Sequence, residues 1–394
     1  MTLGIVLFVI AILLVVMIHE AGHLLTAKLF GFKATQFFVG FGPTLFSTTR
    51  GETEYGIKAL PAGGFVKIVG MNPYEEVPPE DRKRSYQNKP RWQRAIVLAA
   101  GSGTHFIVAF VILMVTAMTL GFPTGGVTTN VATVQTAVEG QGTPAAAAGL
   151  RPGDRIVAIG DVTNPSWAEL RRYIRRHPGT TTTMRVERGA DTLTLEAPLA
   201  RAAVDEQGRT IAYAPANQPL DRPSGTVDVV GFLGVSPEPR YETKGFFAAA
   251  GDAGSRTWTL TKLSVTGIGQ VFGQVFDGQL WQALSGSGQR APDEGPLGLV
   301  GAGRIAGESV ATGQYLNLIG LIVGFTVFVG LMNLLPLPPL DGGHLAVLAV
   351  EGVTRKAVDM RKLIPIAAAV ISFFVLLFVA VLYLDLARPV KLPF

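Results

Sequence analysis

Residues 3–30 read LGIVLFVIAILLVVMIHEAGHLLTAKLF. The stretch exceeds the roughly 20 mainly apolar residues that a helix needs to cross a bilayer. Yet it carries His19, Glu20 and His23, and an ionisable side chain at the centre of a span costs at least ~2.5 kcal/mol on insertion scales. On a helix, positions i and i+4 share a face about one turn apart. Both imidazoles can therefore reach one metal ion, with the glutamate close enough to take a proton from water. The bland alternative is a trio of polar residues hydrogen-bonding to neighbouring helices, which leaves the spacing unexplained. A cleaved secretory leader would need a basic region ahead of the apolar run and a small-residue cleavage site. Neither stands out here, so a retained helix is expected.

Composition agrees with a membrane protein. The 394-residue chain is 48% hydrophobic and 16% charged, with a mean hydropathy of +0.35; soluble domains average about 25% charged residues. Four stretches qualify as spans, at 3–30, 95–122, 315–340 and 363–386. The chain has no cysteine, which excludes disulfides and thiol catalysis. A net charge of +5 with basic residues beside apolar runs fits anionic lipid better than nucleic acid.

Charge sets the expected topology. Arg82, Lys83, Arg84, Lys89, Arg91 and Arg94 crowd the end of the first loop, and Arg355, Lys356, Arg361 and Lys362 lie between the last two spans. Both loops are cytoplasmic by the positive-inside rule, which leaves both termini outside. The expected order is span 1–30, a cytoplasmic loop 31–94, span 95–122, an outer domain 123–200, an outer region 201–314, span 315–340, a cytoplasmic turn 341–362 and span 363–386. The outer region should hold a linker over 201–224, a strand over 227–235 and an amphipathic helical stretch over 246–284. In the first loop, EYGIKALPAGGFVKIVG (54–70) has two strand-like arms around Pro61-Ala-Gly-Gly64 and predicts a β-hairpin. Its free edges suit pairing with an extended peptide, which makes Gly63, Gly64 and Phe65 candidate substrate-binding residues. In the outer domain, PAAAAGLRPGDRIVAIG (144–160) predicts a glycine-punctuated turn and a strand. Ser166-Trp-Ala-Glu169 is a capping box opening a helix.

Two histidines leave zinc one protein ligand short of the usual three. The best candidate for the third is Asp341, in Asn333-Leu-Leu-Pro-Leu-Pro-Pro-Leu-Asp341-Gly-Gly343, where prolines and glycines break the helix; the alternative is a plain helix-ending turn with its aspartate solvated by cytoplasmic water. Helix rise places His19 about 24 Å below the outer start of its span. Asp341 ends a span that also enters from outside, so both fall near the cytoplasmic leaflet. His105 lies inside the second span and reads first as a structural hydrogen-bonder, His177 as a surface residue, and His344 as either a helix-start polar residue or a neighbour of the ligands.

Taken together, HEAGH, GGFVKIVGM, AAGSGTHF, the PDZ-like core GLRPGDRI, GPLGLV from Gly295 and NLLPLPPLDGGH resemble the site-2 protease family of intramembrane metalloproteases, in its bacterial branch with an external PDZ domain. The PDZ-like part covers about residues 127–200. The resemblance implies a polytopic α-helical membrane protein with four transmembrane helices, a cytoplasmic-side membrane-reentrant β-hairpin and an extracytoplasmic PDZ-like α+β domain. It implies Zn2+ held by His19, His23 and Asp341, Glu20 as catalytic base, and Asn333 in contact with substrate. Implied substrates are single-span membrane proteins such as anti-sigma factors and remnant signal peptides, cut first by another protease, in the cell inner or plasma membrane. One departure stands out: the family pattern Gly-Pro-x-x-Asn is here Gly101-Ser-Gly-Thr-His105. Rival readings are a noncatalytic PDZ scaffold and a metal or solute transporter; the second meets no paired half-domain repeat in the sequence.

Overall fold

The computed structural model describes residues 2–72, 74–138, 140–207, 209–286 and 296–390, and the chain divides into two compact units, Met1–Met118 with Gly245–Phe394, and Thr119–Lys244. Among the described residues, four helices are long and apolar enough to cross a membrane: Thr2–Leu29, Arg91–Thr119, Tyr315–Asn333 and Met360–Ala387.

The first unit begins with α1 (Thr2–Leu29), apolar on all sides as a helix bathed in lipid and protein should be. Two long bent strands follow, β1 (Ala34–Arg50) and β2 (Thr53–Ile68), then α2 (Arg91–Thr119). α1 and α2 cross where Gly22 lets the backbones touch: a Cβ there would sit 2.7 Å from the Ala100 carbonyl oxygen. The strands differ from the expected hairpin. Residues 34–39 stand opposite 64–68 on one side and 54–57 on the other, Gln36 matching both Lys67 and Glu54. The two arms around Pro61-Ala-Gly-Gly64 therefore flank a strand from earlier in the chain. The tight hairpin turn lies instead between Arg50 and Thr53, at Gly51, whose φ is +63°. Leu24, Ala27, Phe32, Ala34, Ile68, Tyr86, Val97 and Leu98 form one buried cluster that fixes this sheet to α1 and α2.

The second unit is a β-rich body. A ribbon of β3 (Phe122–Val134) and β13 (Val235–Glu242) leads into a sheet ordered β13-β3-β6-β8-β9, with β6 (Arg155–Ile159), β8 (Thr181–Arg188) and β9 (Asp191–Pro198). The short β4 (Ala137–Val138), β5 (Gln141–Gly142), α3 (Pro144–Ala147) and β7 (Val162–Thr163) fill its connections. α4 (Trp167–Arg176) carries the predicted capping box, with Ser166 and Glu169 bonded reciprocally, and buries Leu170 and Ile174 in a core with Ile156, Ile159, Met184 and Val186. The stretch expected as a linker instead holds β10 (Ala200–Val204) and β11 (Thr210–Ala214), which with β12 (Asp228–Phe232) form a three-stranded sheet. Ala202, Val204 and Val230 form a buried cluster in it, with Phe232 packed against them; strands built largely of alanine give little alternation to read.

The chain then returns to the first unit through α5 (Phe246–Phe276), α6 (Gln279–Ser285) and α7 (Leu299–Ala311). The helical stretch expected at 246–284 is present as α5 and α6. α7 packs on α1, Ala302 and Ala306 clustering with Phe8, and its first amides are capped across the fold, Gly298 and Gly301 donating to Asp385 at 3.2 and 2.7 Å. Gly295, the start of the GPLGLV motif, lies outside the described residues. α8 (Tyr315–Asn333) ends seven residues before the expected 340, where the prolines begin. The expected turn 341–362 contains another helix, α9 (Asp341–Thr354), followed by α10 (Ile364–Ala387).

Candidate metal centre and active site

One turn of α1 supplies the first two donors. His23 Nδ1 lies 2.7 Å from the Val97 carbonyl on α2, which can only accept, so this nitrogen carries the proton and Nε2 presents a lone pair. His19 Nε2 lies 3.2 Å from His23 Nε2, and its Nδ1 lies 3.1 Å from Nε2 of His105. The third donor arrives from the other half of the unit. Gly342 and Gly343 fold against the backbone of residues 334–338, too tightly for any side chain, and this turn delivers Asp341 as the first residue of α9. Asp341 Oδ2 stands 3.3 Å from Nε2 of both His19 and His23.

These three donors fit a cation. They lie within 4.8 Å of one another, both histidines are buried, and Oδ2 of Asp341 is buried with no hydrogen-bond partner among the described residues. Ligands about 2.0–2.1 Å from a tetrahedral zinc stand ~3.3 Å apart, which is the spacing found here.

Glu20 projects toward the sheet, where its Oε2 accepts a 3.0 Å hydrogen bond from the Val66 backbone N–H. That amide points away from β1, so the outer edge of residues 64–68 faces the helix bearing His19 and His23. Gly64 is seated on α1, a Cβ there falling 2.6 Å from Sδ of Met17. Gly63 has φ +143°, open to glycine and strained for other residues. Phe65 stacks with Phe38 and with Phe41, centroids 5.7 and 6.0 Å away. Asn333 ends α8, half-buried, and its side chain makes no hydrogen bond among the described residues. His344 is half-buried on α9, and burial lowers its pKa. His177 closes α4 far along the chain, its ring on Tyr173.

Sequence reasoning missed the buried support of the third donor. Glu351 on α9 meets Arg94 of α2 at 3.2 Å, and the Arg94 guanidinium lies 4.7 Å from the centroid of the Tyr86 ring. Burial, outweighing Arg94, pushes the Tyr86 phenol up to about 12. Both partners sit far apart in sequence, and only the charge on a helix end hinted at them.

Comparison with known proteins bears on this geometry. The family model described as Peptidase family M50 matches residues 7–379. The zinc metalloprotease Rip1 of Mycobacterium bovis is 34% identical, covering 99% of this chain and 98% of its own. The zinc metalloprotease RasP of Geobacillus kaustophilus is 27% identical over 91% and 92% of the two chains, and the metalloprotease MmpA of Caulobacter vibrioides 29% over 89% and 86%. A His-Glu-x-x-His helix joined to a distant aspartate, in a chain matched almost end to end, places it plainly: the chain is a multi-pass membrane protein belonging to Peptidase family M50, the site-2 protease family.

Proposed function

We propose that this zinc metalloprotease cuts single-span membrane proteins, anti-sigma factors or remnant signal peptides, within their transmembrane segments after an earlier cut by another protease. The observation that carries the reading is the convergence of His19, His23 and Asp341 beside Glu20, on helices long and apolar enough to lie in a bilayer. The three would hold zinc. When bound, zinc supplies the Lewis acidity that polarises a peptide carbonyl and makes water nucleophilic near neutral pH. Glu20 takes the proton from that water and passes it to the leaving amine. Asn333, with its carboxamide unpaired among the described residues, orients the substrate backbone.

A substrate helix must unwind before its carbonyls can be attacked. The outer edge of residues 64–68 offers backbone groups to the unwound segment. Apolar side chains at the far end of the sheet, Leu45, Phe46 and Leu60, are exposed to 70, 65 and 60%, as suits a sheet dipping into lipid from the cytoplasmic side. In this reading the basic loops face the cytoplasm, and both termini and the second unit lie outside the inner or plasma membrane.

That second unit serves, in this reading, as a PDZ-like filter against substrates whose outer part is still large. Carbonyls of Glu238 and Arg240 accept from Thr128 and Thr124 of β3 at 3.2 Å each. The alternate residues Pro237 and Pro239 therefore turn their backbone to the free edge of β13, and neither has an N–H. Such an edge is a poor template for an added strand, which favours exclusion by size over capture of a peptide along β13.

The test is co-expression with a tagged single-span substrate. Wild type should release the cleaved fragment, whereas Glu20→Gln and Asp341→Ala should not. Equal cleavage by all three overturns the reading.

A further inference from the structure

α2 serves the metal centre through one stripe of residues at i, i+4 and i+8. The Val97 carbonyl takes the Nδ1 proton of His23. Gly101 lies against both rings, and any side chain there would overlap the His23 imidazole. His105 comes next on the same face, 1% exposed, with its Nε2 3.1 Å from Nδ1 of His19. Its ring is held from behind by α8, where a Cβ on Gly330 would come 2.6 Å from the His105 Cβ and 3.0 Å from its Cγ.

A neutral imidazole carries one proton. If His105 donated to His19 Nδ1, the His19 proton would sit on Nε2, facing His23 Nε2 and the Asp341 carboxylate, and His19 could not be a ligand. If His105 Nε2 accepts, the His19 proton stays on Nδ1 and its Nε2 lone pair faces the shared position. His105 then keeps its own proton on Nδ1, a buried nitrogen with no hydrogen-bond partner among the described residues. The orphaned nitrogen is the cost of an arrangement whose gain lies at His19.

We infer that His105 is the positioning residue for His19, accepting its Nδ1–H and so fixing the orientation in which Nε2 faces His23 and Asp341. His105 thus does with a side chain what Val97 does for His23 with a carbonyl. Outer partners of this kind change metal affinity by about 10–100-fold when removed. The inference rests on His19, His23 and Asp341 being the zinc ligands.

Glutamine and methionine at 105 are near in length and differ in their power to accept a hydrogen bond, so His105→Gln and His105→Met separate acceptance from bulk. The full chain in detergent is titrated with zinc against a competing chelator, the absorption spectrum of the cobalt-substituted protein is recorded, and apo-protein melting checks the fold. His105→Met should bind zinc about 10–100-fold more weakly with an altered cobalt spectrum, and His105→Gln should stay within about threefold of wild type. A folded His105→Met protein with wild-type affinity and spectrum overturns the inference. His23→Leu is the control on its foundation: undiminished zinc binding there removes the ligand assignment itself, and the role of His105 with it.

Discussion

Glu20 and Val66 are joined by a 3.0 Å hydrogen bond from a backbone amide to a carboxylate oxygen. The proposed base is thus anchored to the strand proposed to hold the substrate, so a displacement of one is felt by the other. Val66 spends its N–H away from β1, which means that proline at 66 removes this bond while leaving the ladder to residues 34–39 intact. Val66→Pro should bind zinc normally and cleave at least tenfold more slowly, since a hydrogen bond to a charged group contributes about 1.5–3 kcal/mol. Unchanged cleavage of the co-expressed substrate would show that the anchor has no part in the reaction.

Metal binding should stabilise the first unit, because its three proposed donors come from α1 and from α9, far apart in the chain. Zinc at 100 times its dissociation constant adds about 2.7 kcal/mol to the folded state. Melting followed with and without a chelator should therefore show a lower transition for the stripped protein, restored by added zinc. Asp341→Ala should lose most of that difference; a variant that kept it would argue for a different third ligand.

Gly101 is a place where one methyl group can be used as a probe. Its Cβ would overlap Nε2 of His23 and lie 2.9 Å from Cε1 of His19. Overpacking costs about 1–3 kcal/mol, and here the strain falls on the ligand rings. Gly101→Ala should weaken zinc binding by roughly 5–150-fold on that basis. Gly103→Ala, next to open space on the same helix, is the matched control and should leave affinity unaltered. Equal affinities for the two variants would mean that the rings can move away freely.

What was legible in the sequence follows from how local each signal is. His19, Glu20 and His23 lie within one helical turn, and the Pro-Pro-Leu-Asp-Gly-Gly run marks its own chain reversal, so type and spacing were enough. The contacts that hold those side chains in place were not legible, because the Val97 carbonyl and the Val66 amide are groups that every such residue has. The arms on either side of Pro61-Ala-Gly-Gly64 in 54–70 read as partners because a turn sequence lay between them, yet residues 34–39 take the space between the arms. β10, Ala-Arg-Ala-Ala-Val, hid in a polar stretch because its buried side chains are mostly methyl groups. His105 was visible as a polar residue in a span, but its partner depends on how α1 crosses α2.

The Arg94–Glu351 pair should matter more than a surface ion pair. The two side chains are exposed to only 14 and 7%, and Glu351 also accepts from the Val358 amide at 3.1 Å. Removing one member of a buried pair typically costs about 3–5 kcal/mol, because the other charge is left unpaired. Arg94→Met should lower stability by that order in denaturant titrations and should weaken zinc binding, since α9 carries Asp341. The double change Arg94→Met with Glu351→Met should recover much of the stability. A single variant as stable as wild type would show that water reaches the orphaned carboxylate.

Acid sensitivity of the second unit should centre on Asp154. This carboxylate is 1% exposed and is bound by Arg188 through Nε and Nη2 at 2.7 and 2.8 Å, with the Arg151 amide at 2.8 Å. Hydrogen bonds from Arg188 outweigh burial and hold the Asp154 pKa below its ordinary value. The unfolded chain has the ordinary pKa, about 3.9. The stabilisation is therefore present in full above that value and is lost as pH falls through the lower folded value. Stability should hold from pH 7 down to about 4 and decline below it. Arg188→Leu should cost about 2 kcal/mol at neutral pH and flatten that acid decline, because the carboxyl no longer binds its proton less readily in the folded state than in the unfolded one. Fluorescence of Trp167, which packs against this core, reports the transition once Trp92, Trp258 and Trp281 are replaced by phenylalanine. An acid limb of the same slope in wild type and Arg188→Leu would assign the acid sensitivity to another group.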